Sequence, residues 1–421
     1  MRNLKASVVI GAISVVLSLL LFATGLPAFV DALLLKSLAI PQDGRAIAGT
    51  PWLTMLLFAF GVAWVWVDVS NTALKSALSL ASAILLCTWA PVLALHGKFF
   101  SPVLPVFAVI CSTGLSFAWG KTRSGQRNQQ LEQLFGLRLP KSALKSILAS
   151  DATPDFPGRV VNASVLVIAV QNHAELMELL PPESYTAITN LYLKTASDYL
   201  VECGAYLDEC NGECIRVVFG APIADARHAV RACRAAVDLA ARLDQLNKEC
   251  DARWQRRLDV RMGLDTGDII VGVFGGGRLG SYSVAGPAVD FARRLCAASS
   301  MYGARILIGP DAYTPASESV EVRPIEILKV AEKRRRIEIY EILAPKHALS
   351  PERERSRDHF WTGVLHYREK QWDKAVEEFT KARITGIPDE ALDFYLRRIE
   401  QVRRQSAETH KEAVPALFHA A

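Results

Sequence analysis

Apolar positions are distributed unevenly along the chain. In the first 120 residues four stretches run without a charged side chain: Ala6 to Phe29, Pro51 to Val67, Ser76 to Leu95 and Phe99 to Trp119. Each approaches the ~20 residues that a helix needs to cross ~30 Å of hydrocarbon. The pattern therefore predicts an α-helical membrane region of four spans over residues 1–120. A cleaved leader would explain the first stretch alone, but it lacks a convincing small-residue cleavage site and three more spans follow. Trp64, Trp66, Trp89 and Trp119 lie near span ends, where interfacial aromatics belong.

Past residue 120 the period changes. Residues 121–155 begin polar and then set Leu131, Leu134 and Phe135 on one helical face. A second turn after Pro140 carries Leu144, Ile147 and Leu148. This is an amphipathic linker, placed either to carry motion and pair chains or simply to connect. Asp151 to Gly158, with two prolines, marks a boundary. From there strands and helices alternate: a buried strand at Ala163 to Val170, a helix at Pro182 to Val201, a hairpin at Ala205 to Phe219, and a helix at Asp225 to Leu246. A strand within Leu258 to Val273 is expected to meet a turn at Asp265-Thr266-Gly267. Short strands at Ser281 to Val284, Arg305 to Ile308 and Ile337 to Leu343 and a helix at Ala288 to Ser299 complete an α+β domain with a mainly antiparallel sheet, residues 156–345.

Within the hairpin, DECNGECIRVVFG (208–220) sets acids and thiols around an Asn-Gly pair, the strongest short hairpin signal because both central residues of a tight turn need positive φ. A metal site, a thiol site and a solvated turn all fit those residue types. The eight cysteines include no C-x-x-C pair, and Cys87 and Cys111 fall in spans, so free thiols are expected, with Cys210 and Cys214 facing across the hairpin.

Charge adds orientation. Arg2 and Lys5 precede the first span and Lys121, Arg123 and Arg127 follow the last, so both termini and the α+β domain are expected on the cytoplasmic side of a plasma or inner membrane. The segment at about residues 30–50, with only Lys36 and Arg45 as basic residues, is too short for an extracytoplasmic sensor domain. The spans are read as free of charge, which argues against a transporter or channel. The net charge of +5 is mild and no basic patch is interleaved with aromatics, which excludes nucleic acid as a partner. Lys333 to Arg336 reads as a solvated hairpin rather than a phosphate site.

Four segments in order, SVLVIAVQNHAELMELLPPE, LDECNGECIRVVFGAP, VRMGLDTGDIIVGVFGGG and YSVAGPAVDFARRL, resemble the class III adenylate/guanylate cyclase family. The linker LEQLFGLRLPKSALKSIL also resembles the segment before such domains in membrane-bound bacterial members. The resemblance implies a ferredoxin-like fold that dimerises, with sites at the dimer interface. There two aspartates hold two Mg²⁺ (or Mn²⁺) ions over the triphosphate of ATP or GTP. A lysine and a second polar residue read the base, and an asparagine and an arginine act on ribose and phosphates.

Position by position, this chain departs from that set. The first metal aspartate is Ala169, which has no ligand oxygen; the second is Glu213, one methylene longer. The base-reading lysine position is Glu209, and the second base-reading position is Pro287. The ribose asparagine position is Asp290, and only Arg294 matches the family arginine. Glu209, Glu213, Asp290 and Arg294 sum to three negative charges and one positive, which repels a triphosphate. Glu175 and Glu178 lie on the helix side of the strand end, and Asp265 and Asp268 belong to another strand, so no replacement ligand is evident.

After Pro345 the chain turns charged. Gly363, Tyr367, Ala375, Phe379, Ala382 and Pro388 resemble one tetratricopeptide-like helical hairpin within residues 355–405. A single unit cannot bury its own apolar face, so it is expected to dock on the domain before it, a partner-binding role being the alternative. The whole reads as a membrane-bound, cyclase-like signalling protein with an impaired site, acting as a homodimer or as a heterodimer with another cyclase-domain protein. The alternative is an active adenylate cyclase forming cAMP and pyrophosphate from ATP, with an atypical site supported by Mn²⁺ or completed by a partner chain.

Overall fold

The computed structural model describes residues 4–37, 45–46, 50–69, 71–94, 98–149, 158–275, 280–330 and 335–413. Contacts divide the chain into two compact units, Met1–Gln133 and Leu134–Ala421. All but Gly158 of the boundary expected at Asp151 to Gly158, and the first half of the Lys333 to Arg336 run, lie outside the described residues.

The first unit contains α1 (Leu4–Ala23), α2 (Leu26–Ser37), β1 (Arg45–Ala46), α3 (Thr50–Asp68), α4 (Thr72–Ala94), β2 (Lys98–Phe99) and α5 (Val103–Gly120). Four helical segments are long and apolar enough to cross a membrane: Leu4–Ala23, Pro51–Asp68, Ala73–Leu93 and Val103–Gly120. Two expectations are corrected. The first apolar stretch is not one helix, because the chain turns through Gly25 at φ 73° before α2 begins. The third span is not free of charge, since α4 starts early enough to include Lys75. Its Nζ donates to the Trp66 carbonyl at 3.3 Å and lies 5.3 Å from the Trp66 ring centroid. The helices meet through small and hydroxyl-bearing residues: α1 buries Ser7, Gly11, Ser14 and Ser18, and Ser112 Oγ lies 2.9 Å from both Ser14 Oγ and the Ala59 carbonyl. Hydrogen bonds of this kind hold helices together where lipid offers no polar partner.

The linker helix α6 (Arg123–Phe135) leads into the second unit and is followed by α7 (Lys141–Ala149). The domain then runs β3 (Arg159–Val170), α8 (His173–Leu179), α9 (Pro182–Glu202), β4 (Tyr206–Cys210), β5 (Cys214–Phe219), α10 (His228–Trp254), β6 (Val260–Phe274), β7 (Ser281–Ala285) and α11 (Pro287–Tyr302). It closes with β8 (Ile306–Ile308), α12 (Pro310–Ala316), β9 (Val320–Val330) and β10 (Arg335–Pro345). The sheet order is β4-β5-β3-β6-β8-β10-β9, with β7 also on β6. Every pairing in this sheet is antiparallel except β6 with β8.

The turn expected at Asp265-Thr266-Gly267 does not form. β3 and β6 pair without interruption from Arg159↔Val271 to Val170↔Val260, and Asp265 and Thr266 are buried inside that ladder. A continuous run of backbone hydrogen bonds outweighs the local turn preference of Asp and Gly.

Side chains of β8 show the layering. Ile306 and Ile308 enter the core under α9, α10 and α12, while Leu307 enters the core on the opposite face. That second face is covered by α11 and by three C-terminal helices, α13 (Pro351–Arg368), α14 (Trp372–Ala382) and α15 (Glu390–Ala413). Phe360, Val364, Phe379, Leu392 and Tyr395 pack there with Ile325, Ile337 and Ile339 of the sheet. Gly363 lets α14 approach α13, because a Cβ there would stand 2.8 Å from the Phe379 ring. Phe379 in turn stacks on Tyr395 with centroids 5.1 Å apart. Replacing Phe379 with Ala removes this contact layer and should cost about 3–5 kcal/mol, read as a lower urea midpoint of the Leu134–Ala421 fragment with an unchanged slope.

The linker also joins this unit. Phe135 packs edge-on to Tyr206 and Tyr282, with centroids 5.9 and 4.9 Å away. The Arg138 carbonyl accepts the Leu207 N–H at 2.9 Å, and Arg138 Nη1 donates to the Asp208 carbonyl at 3.1 Å. The segment before the domain is thereby fixed to the base of the β4–β5 hairpin.

Candidate active site

The hairpin tip is a three-residue loop, Asn211 to Glu213, between β4 and β5. Neither Asn211 nor Gly212 has the positive φ expected of a two-residue turn. The Asn211 side chain shapes the loop instead: its Oδ1 accepts the N–H groups of Glu213 (3.1 Å) and Cys214 (2.8 Å), and its Nδ2 donates to Glu209 Oε1 (3.1 Å). Such Asx-type bonding gives the chain a way round the corner without left-handed residues.

The loop abuts the end of β3. The Val170 N–H donates to the Glu213 carbonyl at 3.0 Å, and Ala169 is paired in register with Cys214 on one side and Arg261 on the other. Ala169 and Glu213 thus stand at adjoining chain ends, where the resemblance implies a metal-binding pair. Glu175 sits beyond that end in α8, as does Glu178.

Each hairpin acid has a side-chain partner. His173, the first residue of α8, brings Nε2 to 3.1 Å from Glu213 Oε1. Arg216 lies opposite Glu209 in the β4–β5 ladder. It reaches the Asp208 carboxylate with Nε at 2.5 Å and Glu209 Oε2 with Nη1 at 2.9 Å. Arg216 adds a positive charge outside the four positions summed from the sequence, and His173 adds a polar partner for Glu213. Arg216 was legible from the hairpin register, being the residue directly across from Glu209; His173 was not, since its approach needs the fold of α8 over the loop.

The Asp208 side chain is fully buried and Arg216 nearly so. Removing the guanidinium strands a buried carboxylate. Arg216→Ala should therefore destabilise the domain by about 3 kcal/mol, and adding Asp208→Leu should recover most of the loss, as read by urea unfolding of the pair.

The remaining candidates sit on α11. Gly286 (φ 138°) precedes it, Pro287 opens it, and Asp290 and Arg294 follow on the same exposed face. Asp290 Oδ1 lies 3.8 Å from Arg293 Nη1. The helix can lie close against β6 because of Gly263, where a Cβ would come within 2.2 Å of the Ala292 carbonyl oxygen and the Cys296 nitrogen. That packing sets the height of Pro287, Asp290 and Arg294 over the sheet.

The cysteines are all free. Burial pushes the Cys214 thiol up to about 11, with Glu209 adding to the effect, and pushes Cys296 up to about 12. Cys210 is also raised by burial. These thiols stay protonated at neutral pH and are poor nucleophiles and metal ligands.

A two-metal centre does not fit these residues. Ala169 supplies no oxygen, Glu213 is engaged by His173, and no cluster of three or more His, Cys, Asp or Glu side chains able to hold a metal ion occurs among the described residues.

Comparison with known proteins assigns one part of the chain to a family. Residues 158–343 match the family model described as "Adenylate and Guanylate cyclase catalytic domain". Adenylate cyclase 1 of Rhizobium meliloti (strain 1021) is 24% identical over 234 residues, covering 54% of this chain and 35% of the relative. The adenylate cyclase of Anabaena cylindrica is 27% identical over 188 residues, covering 43% and 36%. The matches span about a third of the length of these curated relatives. Among solved structures, the adenylyl cyclase CyaB from P. aeruginosa shares 26% identity over 46% of this chain and 99% of that one, with a TM-score of 0.42. The guanylyl cyclase Cya2 shares 23% over 46% and 97%, with the same score. Residues 158–343 of this chain are a domain of the adenylate and guanylate cyclase catalytic family.

Proposed function

We propose that the protein is a membrane-held member of this family that does not by itself cyclise nucleotides, and that it acts in signalling through its domain contacts, as a homodimer or as the regulatory partner of a competent cyclase-domain protein. The observation that carries this reading is the end of β3. Ala169 stands where a metal carboxylate is required, and the neighbouring Glu213 is turned to His173. Glu209, held by Arg216 and Asn211, offers only acceptors and Pro287 has no side-chain donor or acceptor, so the lysine and polar pair that the resemblance implies for the base is not present. The candidate spans anchor the chain, with the domain on the cytoplasmic side by the distribution of Lys and Arg.

The test is a cyclic-nucleotide assay on the full-length chain with ATP and with GTP, each with Mg²⁺ and with Mn²⁺. No product is expected in any of the four conditions. Product that disappears in Arg294→Ala would overturn the proposal and make the chain a working cyclase. Co-expression with an active cyclase of the same cell supplies the positive arm: a changed rate of that enzyme marks the regulatory role.

A further inference from the structure

We propose that the cavity between the C-terminal helices and the sheet is a binding site for a small polyanion, a phosphate ester or polycarboxylate of about nucleotide size. The cavity measures about 410 Å³, inside the ~300–1,000 Å³ typical of small-molecule sites, which favour the seams between packed modules. One wall is the start of β6 and the approach to β8; the other is α13 and the loop joining α14 to α15. Ile384, Ile387 and Pro388 of that loop give it an apolar side.

Its polar lining holds five arginines and five acids, so net charge alone selects nothing. Hydrogen-bond capacity does. Asp244 presents both oxygens to Arg305, at 2.8 and 2.9 Å, and Asp259 both of its own to Arg261, at 2.6 and 3.3 Å. Asp389 gives both oxygens to Arg323, while Glu341 receives Arg323 Nε at 2.7 Å and the Arg305 backbone N–H at 2.9 Å. Glu390 accepts from Arg261 at 2.9 Å.

Acceptors are therefore almost all engaged, while donors remain. The Arg353 guanidinium, at the rim of the cavity, and the Nε–H of Arg305 have no acceptor among the described residues. Guanidinium donors at the rim of a partly enclosed pocket whose acceptors are largely engaged suit the planar or tetrahedral oxygens of a carboxylate or phosphate.

The location gives such a ligand a route to the rest of the domain. Arg261 is the register partner of Ala169, and Gly303, which ends α11, packs against Glu390 so closely that a Cβ there would lie 2.4 Å from the Glu390 Cβ. The ligand would touch β6, the strand paired with β3, and the residue that caps α11, and this inference does not rest on whether the candidate active site is active.

The test is calorimetric titration of the full-length chain, in detergent and without divalent cations, with ATP, citrate and inorganic phosphate as separate probes. ATP or citrate is expected to bind, the two arms separating phosphate ester from polycarboxylate. Arg353→Gln should weaken the binding and Arg353→Glu should weaken it further, by about tenfold or more, while Arg294→Ala leaves it unchanged. Arg353 is exposed, so both variants should keep the parent's melting temperature. Failure of all three probes to bind at millimolar concentration overturns the proposal. So does binding that is lost in Arg294→Ala and insensitive to Arg353→Glu, which would place the anion in the cyclase cleft.

Discussion

A chain carrying Ala169→Asp, Glu213→Asp, Glu209→Lys and Asp290→Asn together is expected to form cyclic nucleotide with Mn²⁺ at a rate at least roughly 100-fold above the unmodified protein, the scale that single electrostatic groups carry in transition-state stabilisation. Ala169→Asp alone is expected to stay at background. The difference follows from how the hairpin is wired. A carboxylate at 169 would stand beside the Glu213 backbone at the end of β3, as the metal pair requires, but Glu213 would still be drawn to His173. Shortening it to Asp breaks that reach and frees the second carboxylate. Glu209→Lys restores a base-reading cation only by placing it directly opposite Arg216, a like-charge cross-strand pair that costs a few tenths of a kcal/mol to about 1 kcal/mol. Arg216 keeps Asp208 as its partner, so the hairpin should survive. Because Pro287 is left in place, the regained activity should discriminate poorly between ATP and GTP. The measurement is product formation by full-length variants of matched folded content, with Arg294→Ala in the four-fold background as the control. Activity in the single Ala169→Asp variant would mean that the other three departures are tolerated. No activity in the four-fold variant would mean that the cleft itself has been reshaped.

Much of this architecture was legible in the chain. Uncharged runs located the candidate spans, period-2 and period-3.6 patterns located most strands and helices, and four ordered segments identified the family. What the pattern missed has physical causes. Gly25 interrupts an apolar run whose composition does not change across the break, so hydropathy alone could not divide it. Asp265-Thr266-Gly267 looks like a turn because its local preferences are those of a turn, and only the twelve-residue partnership of β3 with β6 overrides them. At the candidate site, the departures from the family set were readable one position at a time. Of their compensation, Arg216 follows from the hairpin register opposite Glu209, but His173 does not, because it meets Glu213 only through the fold of α8 over the loop. The cavity under the C-terminal helices was out of reach for the same reason: its walls come from segments more than 100 residues apart in sequence.

Replacing Arg323 with Met is expected to remove about 3–5 kcal/mol of stability from the Leu134–Ala421 unit, among the largest single-residue effects in the domain. Arg323 is the charge around which the C-terminal helices close on the sheet. Its guanidinium is buried on β9, lies 4.3 Å from the Phe360 ring centroid, and binds Glu341 of β10 at 2.7 Å and Asp389, just before α15, at 2.5 and 2.9 Å. Met fills a similar volume, so the loss isolates the two carboxylates left facing each other without a cation. The pH dependence separates this account from simple loss of packing. Burial by itself would raise the Asp389 carboxyl, but the charge and hydrogen bonds of Arg323 override it and hold the group below its ordinary 3.8. A folded-state value below the unfolded one contributes stability that is present above the unfolded value and is lost as pH falls through the folded one. The parent should therefore lose this contribution in acid, below about pH 4. In Arg323→Met the remaining burial raises Asp389, the sign reverses, and the gap between variant and parent should narrow as the pH is lowered from 7 toward 4. Urea midpoints of both proteins across that range decide it: a gap that stays constant with pH would assign the loss to packing against Phe360 and not to the buried charges.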